Sequence, residues 1–198
     1  MVKKPNYCKG IIMVHGRSEY LLVEHIKSNL HLPIEIYAAK NGKMSIQIDG
    51  LKTILRNSIF KNKKALKAGY ILEEENGVFH NFFVMPVMDL DDTSDEKKKL
   101  YRTGELFQNH WLSPYITPIW NEPNLDTVLY EQKIIQKMPN EKEKGKIYRE
   151  IFPPHTGETD IERVEELRKI FAKSNKTNMA IMLQRCLDSI QEIRQENR

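Results

Sequence analysis

Three aspartates, Asp89, Asp91 and Asp92, close the apolar run Phe82-Phe83-Val84-Met85-Pro86-Val87-Met88. Alternate residues of an extended chain point to the same side, so Asp89 and Asp91 present their carboxylates together where the strand leaves its sheet. Like charges this close are unfavourable unless one carboxylate keeps a proton or a cation lies between them. A hard divalent ion resolves the conflict, since magnesium is commonly held by one or two carboxylates, several waters and substrate phosphate oxygens. The competing role is a helix start, because Asp92 and Asp95 stand where carboxylates favour a helix N-terminus. That role accounts for Asp92 better than for Asp89.

A second polar turn, His15-Gly16-Arg17-Ser18-Glu19, follows the apolar run Ile11-Ile12-Met13-Val14. Ser18 is a candidate cap for a helix whose free N–H groups suit a phosphate, and Arg17 adds a bidentate fork. Neither a Walker lysine motif nor a Gly-x-Gly-x-x-Gly fingerprint is present, which excludes the nucleotide-loop enzymes of those classes. Cys8 and Cys186, far apart in the chain, make neither a disulfide framework nor a zinc spacing, and no nucleophile triad surrounds them. Two such cysteines fit a reducing compartment.

Positioning these groups requires an alternation of strands and helices. Ile11–Val14 reads as a strand buried on both faces, followed by a helix bearing Leu21, Leu22, Ile26 and Leu30 at helical spacing. Leu32–Tyr37 predicts a second strand, and Ile46, Leu51, Ile54 and Leu55 a helix toward Asn57, weakened by Gly50. Lys61, Lys63, Lys64 and Lys67 read as a solvated basic helix face. Pro86 removes a ladder donor, which predicts an edge position or a bulge for the Phe82–Met88 strand. A helix from Asp95, a short strand at Ile116–Trp120 and a helix capped by Asn124 complete the alternation.

Beyond it the character changes. Glu141–Lys146 is a linker or a helix surface, Pro153–Gly157 a breaker, and two amphipathic helices follow, one with Val164, Leu167 and Phe171, the other with Met182, Cys186 and Ile190. The expected class is α/β: a mostly parallel sheet flanked by helices over residues 9–135, with a C-terminal helical extension over 141–198.

The 198 residues, 40% hydrophobic and 29% charged, suffice for one fair-sized core, and the net charge of +4 permits contact with phosphates without demanding it. No run approaches the ~20 apolar residues of a bilayer span, and the amino-terminal stretch leads into a strand rather than a signal core. A cytoplasmic chain with no membrane partner is therefore expected.

Asp89-Leu90-Asp91-Asp92-Thr93 resembles the first motif of haloacid-dehalogenase-type phosphatases, Asp-x-Asp-x-Thr. That motif normally sits on the first strand, and the family needs a later lysine and an acidic pair at another strand end. The order Val14-His15-Gly16-Arg17-Ser18-Glu19, then Met88-Asp89-Leu90-Asp91, then Asn121–Asp126 is similar to the Toprim domain, and within it to the OLD and RloB types of phage-defence nuclease. This second resemblance covers roughly residues 9–135. It implies a metal-dependent nuclease acting on DNA or RNA with magnesium or manganese, in which Asp89 and Asp91 bind the metal, and a protein partner in a defence complex. The family's first motif ends in Glu-Gly, whereas His15 stands at the glutamate's place. Three outcomes are open: His15 ligates a softer ion, Glu19 supplies the carboxylate, or the module has lost catalysis and only binds nucleic acid or a partner. Ordinary alternatives are a turn histidine bonded to backbone and a favourable charge in the first helical turn.

Overall fold

The computed structural model describes residues 5–196; residues 1–4 of the amino-terminal stretch and 197–198 of the expected extension lie outside the described residues. The chain runs β1 (Asn6–Tyr7), β2 (Gly10–Val14), α1 (Arg17–Leu30), β3 (Ile34–Tyr37), α2 (Ile48–Arg56), α3 (Lys63–Gly69), β4 (Tyr70–Ile71), β5 (Glu74–Glu75) and β6 (Val78–Phe79). It continues through β7 (Phe83–Asp89), α4 (Asp95–Arg102), β8 (Ile119–Asn121), α5 (Leu125–Glu131), α6 (Glu141–Ile151), α7 (Ile161–Phe171) and α8 (Met179–Glu196).

Four strands form the main sheet in the order β3-β2-β7-β8, all parallel, so the fold is mixed α/β as expected. Its central strands are apolar on both faces because both are covered. Ile12, Val14, Met85 and Val87 face a core shared with α1, α5, α6, α7 and α8. Ile11, Met13, Val84 and Met88 alternate with them and face a second core with α2, α3 and α4. The two C-terminal amphipathic helices pack against each other and on α1, so the extension contributes Val164, Phe171, Met182 and Cys186 to the same core as the sheet. The segment Glu141–Lys146 is the first half of α6, whose Tyr148 and Phe152 end are buried.

Pro86 departs from expectation. Its strand β7 is central, between β2 and β8. The β7–β8 ladder is interrupted where Pro86 sits, between the Val84–Ile116 bridge and the Val87–Ile119 pair. The fully buried Tyr101 of α4 fills that gap, its hydroxyl shared between the Pro86 carbonyl (2.7 Å) and the Ile119 carbonyl (3.0 Å). A strand residue's N and C=O face the same neighbour, so the missing donor falls on the side where no ladder bond is made.

Of the basic stretch, Lys63, Lys64 and Lys67 lie in α3 while Lys61 precedes it, and Lys63 and Lys67 both pair with Glu74 of the β5–β6 hairpin, at 2.6 and 2.5 Å. Gly50 lies inside α2 with open space where a side chain would stand. Among the described residues, no helix is long and apolar enough to cross a membrane.

Candidate metal and phosphate site

From β2 the chain steps to β3 on one side, and later adds β7 and β8 on the other. The connections change faces accordingly: α1 lies on the first core, α2 and α3 on the second. The carboxyl ends of β2 and β7 therefore flank a topological switch point, the usual ligand crevice of an open α/β sheet. A cleft of about 360 Å³ opens there, lined by His15, Gly16, Arg17 and Glu19 from the β2 side and by Asp89, Asp91 and Asp92 from the β7 side. Gly42, Lys43, Ser45, Asn124, Asp126 and Lys144 complete the wall.

Asp89 ends β7 and is fixed by two donors on one oxygen: Oδ1 accepts from Asn121 Nδ2 at 3.1 Å and from the Leu125 N–H at 3.0 Å. Burial raises this carboxyl's pKa well above its ordinary value, the Glu19 charge and then Asp91 add to the rise, and the two hydrogen bonds oppose it. Glu19, only 2% exposed, stands in the first turn of α1 and accepts the Gly16 N–H at 2.9 Å. Its pKa is also raised, by burial first and by Asp126 last, against the lowering effects of His15 and Lys144. Two neighbouring carboxyls, Glu19 buried and Asp89 half-buried, cannot both ionise cheaply without a cation.

Asp91 Oδ2 accepts from Asn124 Nδ2 at 3.0 Å, and Asp92 Oδ2 from Gln47 Nε2 at 3.1 Å, so both stand at the rim. His15 Nδ1 lies 3.0 Å from the Ile46 carbonyl. The carbonyl can only accept, so that bond places a proton on Nδ1 and holds the ring from its Nδ1 side. The backbone-bonded role is thus the one seen for this ring.

The phosphate candidates part company. Arg17 lines the cleft, yet its Nη1 donates to the Asn41 carbonyl at 3.0 Å and its guanidinium lies 5.2 Å from the Tyr20 ring centre. Ser18 does not cap α1: Gly16 is the N-cap, and Ser18 is buried with its hydroxyl 3.4 Å from Asp126 Oδ1. The glutamate three residues after the cap takes over the capping bond.

Among the described residues, no group of three or more His, Cys, Asp or Glu side chains stands close enough to hold a metal ion. The cleft wall carries the buried carboxyl of Glu19, the half-buried one of Asp89, a further carboxylate at Asp91 and the imidazole of His15. Such hard oxygen donors suit magnesium, and the imidazole admits manganese.

Three participants carry no local sequence signal. Asp126 receives Lys144 Nζ at 2.8 Å on Oδ2, and the Tyr148 hydroxyl on Oδ1. Both partners come from α6, Lys144 within the stretch Glu141–Lys146 that reads as a linker or helix surface and Tyr148 just beyond it. Asn121, fully buried, links Asp89 to the Thr177 hydroxyl, which donates to it at 2.8 Å. A larger cleft of about 570 Å³ lies elsewhere, between α1, β3 and Pro154–His155, and holds none of the strand-end carboxylates. Comparison with protein-family models, with curated proteins and with solved structures found no match.

Proposed function

We propose that this chain is a divalent-metal-dependent phosphodiesterase of Toprim-like design acting on nucleic acid, DNA or RNA. The observation that supports it most is the Glu19–Asp89 pair at the switch point, in which Glu19 is buried and its charge raises the pKa of the half-buried Asp89. Glu19 takes the role that the resemblance gives to a strand-end glutamate, moved into the first turn of α1. His15, at the family's glutamate position, serves as a nitrogen ligand. Asp91 completes the acidic edge.

Bound there, magnesium or manganese would polarise a phosphoryl oxygen and lower the pKa of a coordinated water. The chain's own residues do the rest. Asp89 is held rigid by Asn121 and by the start of α5, Glu19 by its capping bond, and His15 by Ile46. Lys144, anchored on Asp126, adds a cation to the cleft that Arg17 and Lys43 also line. In this reading the protein works in a reducing cytoplasm, consistent with two buried thiols whose pKa values burial lifts to about 11 at Cys8 and about 12 at Cys186. By its resemblance to OLD and RloB nucleases it acts in a phage-defence complex with a protein partner.

The test is manganese binding by electron paramagnetic resonance, run beside cleavage of single- and double-stranded DNA and RNA and phosphate release from an aryl monoester. Metal-dependent cleavage of polynucleotide is the expected result. Phosphate release from the monoester with a trapped aspartyl intermediate would instead establish the haloacid-dehalogenase reading. Nucleic-acid binding with neither metal uptake nor cleavage would leave a non-catalytic Toprim module.

A further inference from the structure

Between β3 and α2 the backbone turns left-handed at three successive residues, Lys40 (φ 47), Asn41 (φ 56) and Gly42 (φ 78). L-residues adopt this region reluctantly and in isolation, so a run of three persists only where the surroundings over-determine it. Here they do. The Asn41 carbonyl accepts from Arg17, and a Cβ added to Gly42 would stand 2.9 Å from the Gly16 carbonyl oxygen and 3.1 Å from Arg17 Cα. Farther along, the Ile46 N–H donates to the His15 carbonyl at 2.7 Å, the His15 ring bonds back to Ile46, and Gln47 reaches Asp92. The segment is thus stitched to the turn after β2 at one end and to the turn after β7 at the other.

This stitching presents Lys43 and Ser45, both exposed, on the wall of the acidic cleft. Among the described residues, Lys43 makes no ion pair, although Asp89, Asp91, Asp92 and Asp126 line the same cleft. Lys144, by contrast, is paired with Asp126, and nearby Lys97 with Asp49 at 2.7 Å. An exposed ammonium on that wall with no ionic partner is open to an anion that arrives with its own counter-charge at the acidic edge.

We propose that residues 39–46 form a phosphate grip that seats one strand of a polynucleotide across the cleft, with the Lys43 ammonium and the Ser45 hydroxyl as its contacts. Lysine acts on phosphate as a point charge, and serine hydroxyls are ordinary backbone-phosphate donors that carry no base preference. Arg17 is a positioning residue in this grip, since its guanidinium is spent on Asn41 and Tyr20. The inference rests on reading the cleft as a phosphodiester site, but its test is separate from that of the chemistry.

The experiment uses the full chain with calcium, labelled single-stranded and duplex oligonucleotides, and fluorescence anisotropy over a salt titration. Each phosphate contact contributes about 0.7–0.9 to the slope of log K against log salt. Lys43→Ala should lower the slope by that amount and weaken binding equally for all sequences, while Lys43→Arg keeps the slope. Gly42→Ala, which displaces the loop, should mimic Lys43→Ala with the lysine still present. A Lys43→Ala chain with the parent's slope and affinity would overturn the grip, as would a parent that binds no oligonucleotide or that inorganic phosphate displaces as readily as competing oligonucleotide does. Manganese binding is read in parallel by paramagnetic resonance. A lysine-dependent slope without metal uptake leaves the grip standing and removes the phosphodiesterase reading, whereas metal-dependent cleavage unaltered by Lys43→Ala does the reverse.

Discussion

Asp89→Asn separates the two roles that one side chain plays. Both structural bonds land on Oδ1, from Asn121 Nδ2 and the Leu125 N–H, and an asparagine carbonyl oxygen can accept both. The substitution exchanges two charge-assisted bonds for neutral ones, about 1 kcal/mol each, and removes a half-buried charge beside Glu19, which offsets that loss. Asp89→Ala deletes the acceptor outright and leaves two donors unpaired, at about 1–3 kcal/mol each. Urea unfolding of the metal-free proteins should therefore place Asp89→Asn near the parent and Asp89→Ala about 2–6 kcal/mol below it. Added manganese at a hundredfold its dissociation constant should stabilise the parent by about 2.7 kcal/mol and Asp89→Asn by much less. If asparagine destabilises as much as alanine, the charge itself holds α5 in place and Asp89 is structural. If asparagine keeps the full manganese stabilisation, Asp89 is not a ligand and the metal reading fails.

The pH dependence has a definite sign. Glu19 and Asp89 have folded pKa values raised above 4.5 and 3.8, so their contribution to stability is complete below those values and lost as pH rises through the raised ones. The metal-free chain should lose stability in that window, and manganese affinity should climb up to tenfold per pH unit while one proton leaves per ion bound; calorimetry in buffers of different ionisation enthalpy counts the protons. His15→Glu adds a hard oxygen at the mouth of the cleft, so the ratio of magnesium to manganese affinity should rise; an unchanged ratio would remove His15 from the ligand set. Tyr101→Phe strips the hydroxyl shared by the Pro86 and Ile119 carbonyls and should cost about 1–3 kcal/mol in a denaturant titration, where an unshifted midpoint would mean that water replaces it. Leu187→Ala, at a position 4% exposed between α8 and the sheet core, should cost about 2–5 kcal/mol by the same measurement, and a parental midpoint would show that the helix does not rely on that face.

Features carried by local periodicity were legible before folding was considered. The apolar runs at Ile11–Val14 and Phe82–Met88 lie in the central strands β2 (Gly10–Val14) and β7 (Phe83–Asp89) but for Phe82, and the helical spacing of Leu21, Leu22, Ile26 and Leu30 forms the buried face of α1. Asn124 caps α5 as its side chain chemistry requires, accepting the Thr127 N–H at 3.0 Å. Pro86 was misread because a proline's cost depends on which neighbour its missing donor would have met, and that neighbour is a gap filled from α4 by Tyr101, a residue outside any strand pattern. Ser18 was misread because a glycine cap with a glutamate three residues on leaves the serine inside the helix, where burial turns it toward Asp126. The strand-end groups could be named, since His15, Glu19, Asp89 and Asp91 all reach one cleft, but their neighbours could not. Lys144 and Tyr148 meet Asp126 only because α6 packs along α1, and Thr177 meets Asn121 only because α8 closes over β8. Such contacts join elements through tertiary packing, so they leave no spacing in the chain to read. The same packing determines whether a strand-end carboxylate is a solvated cap or a buried anion in need of a partner.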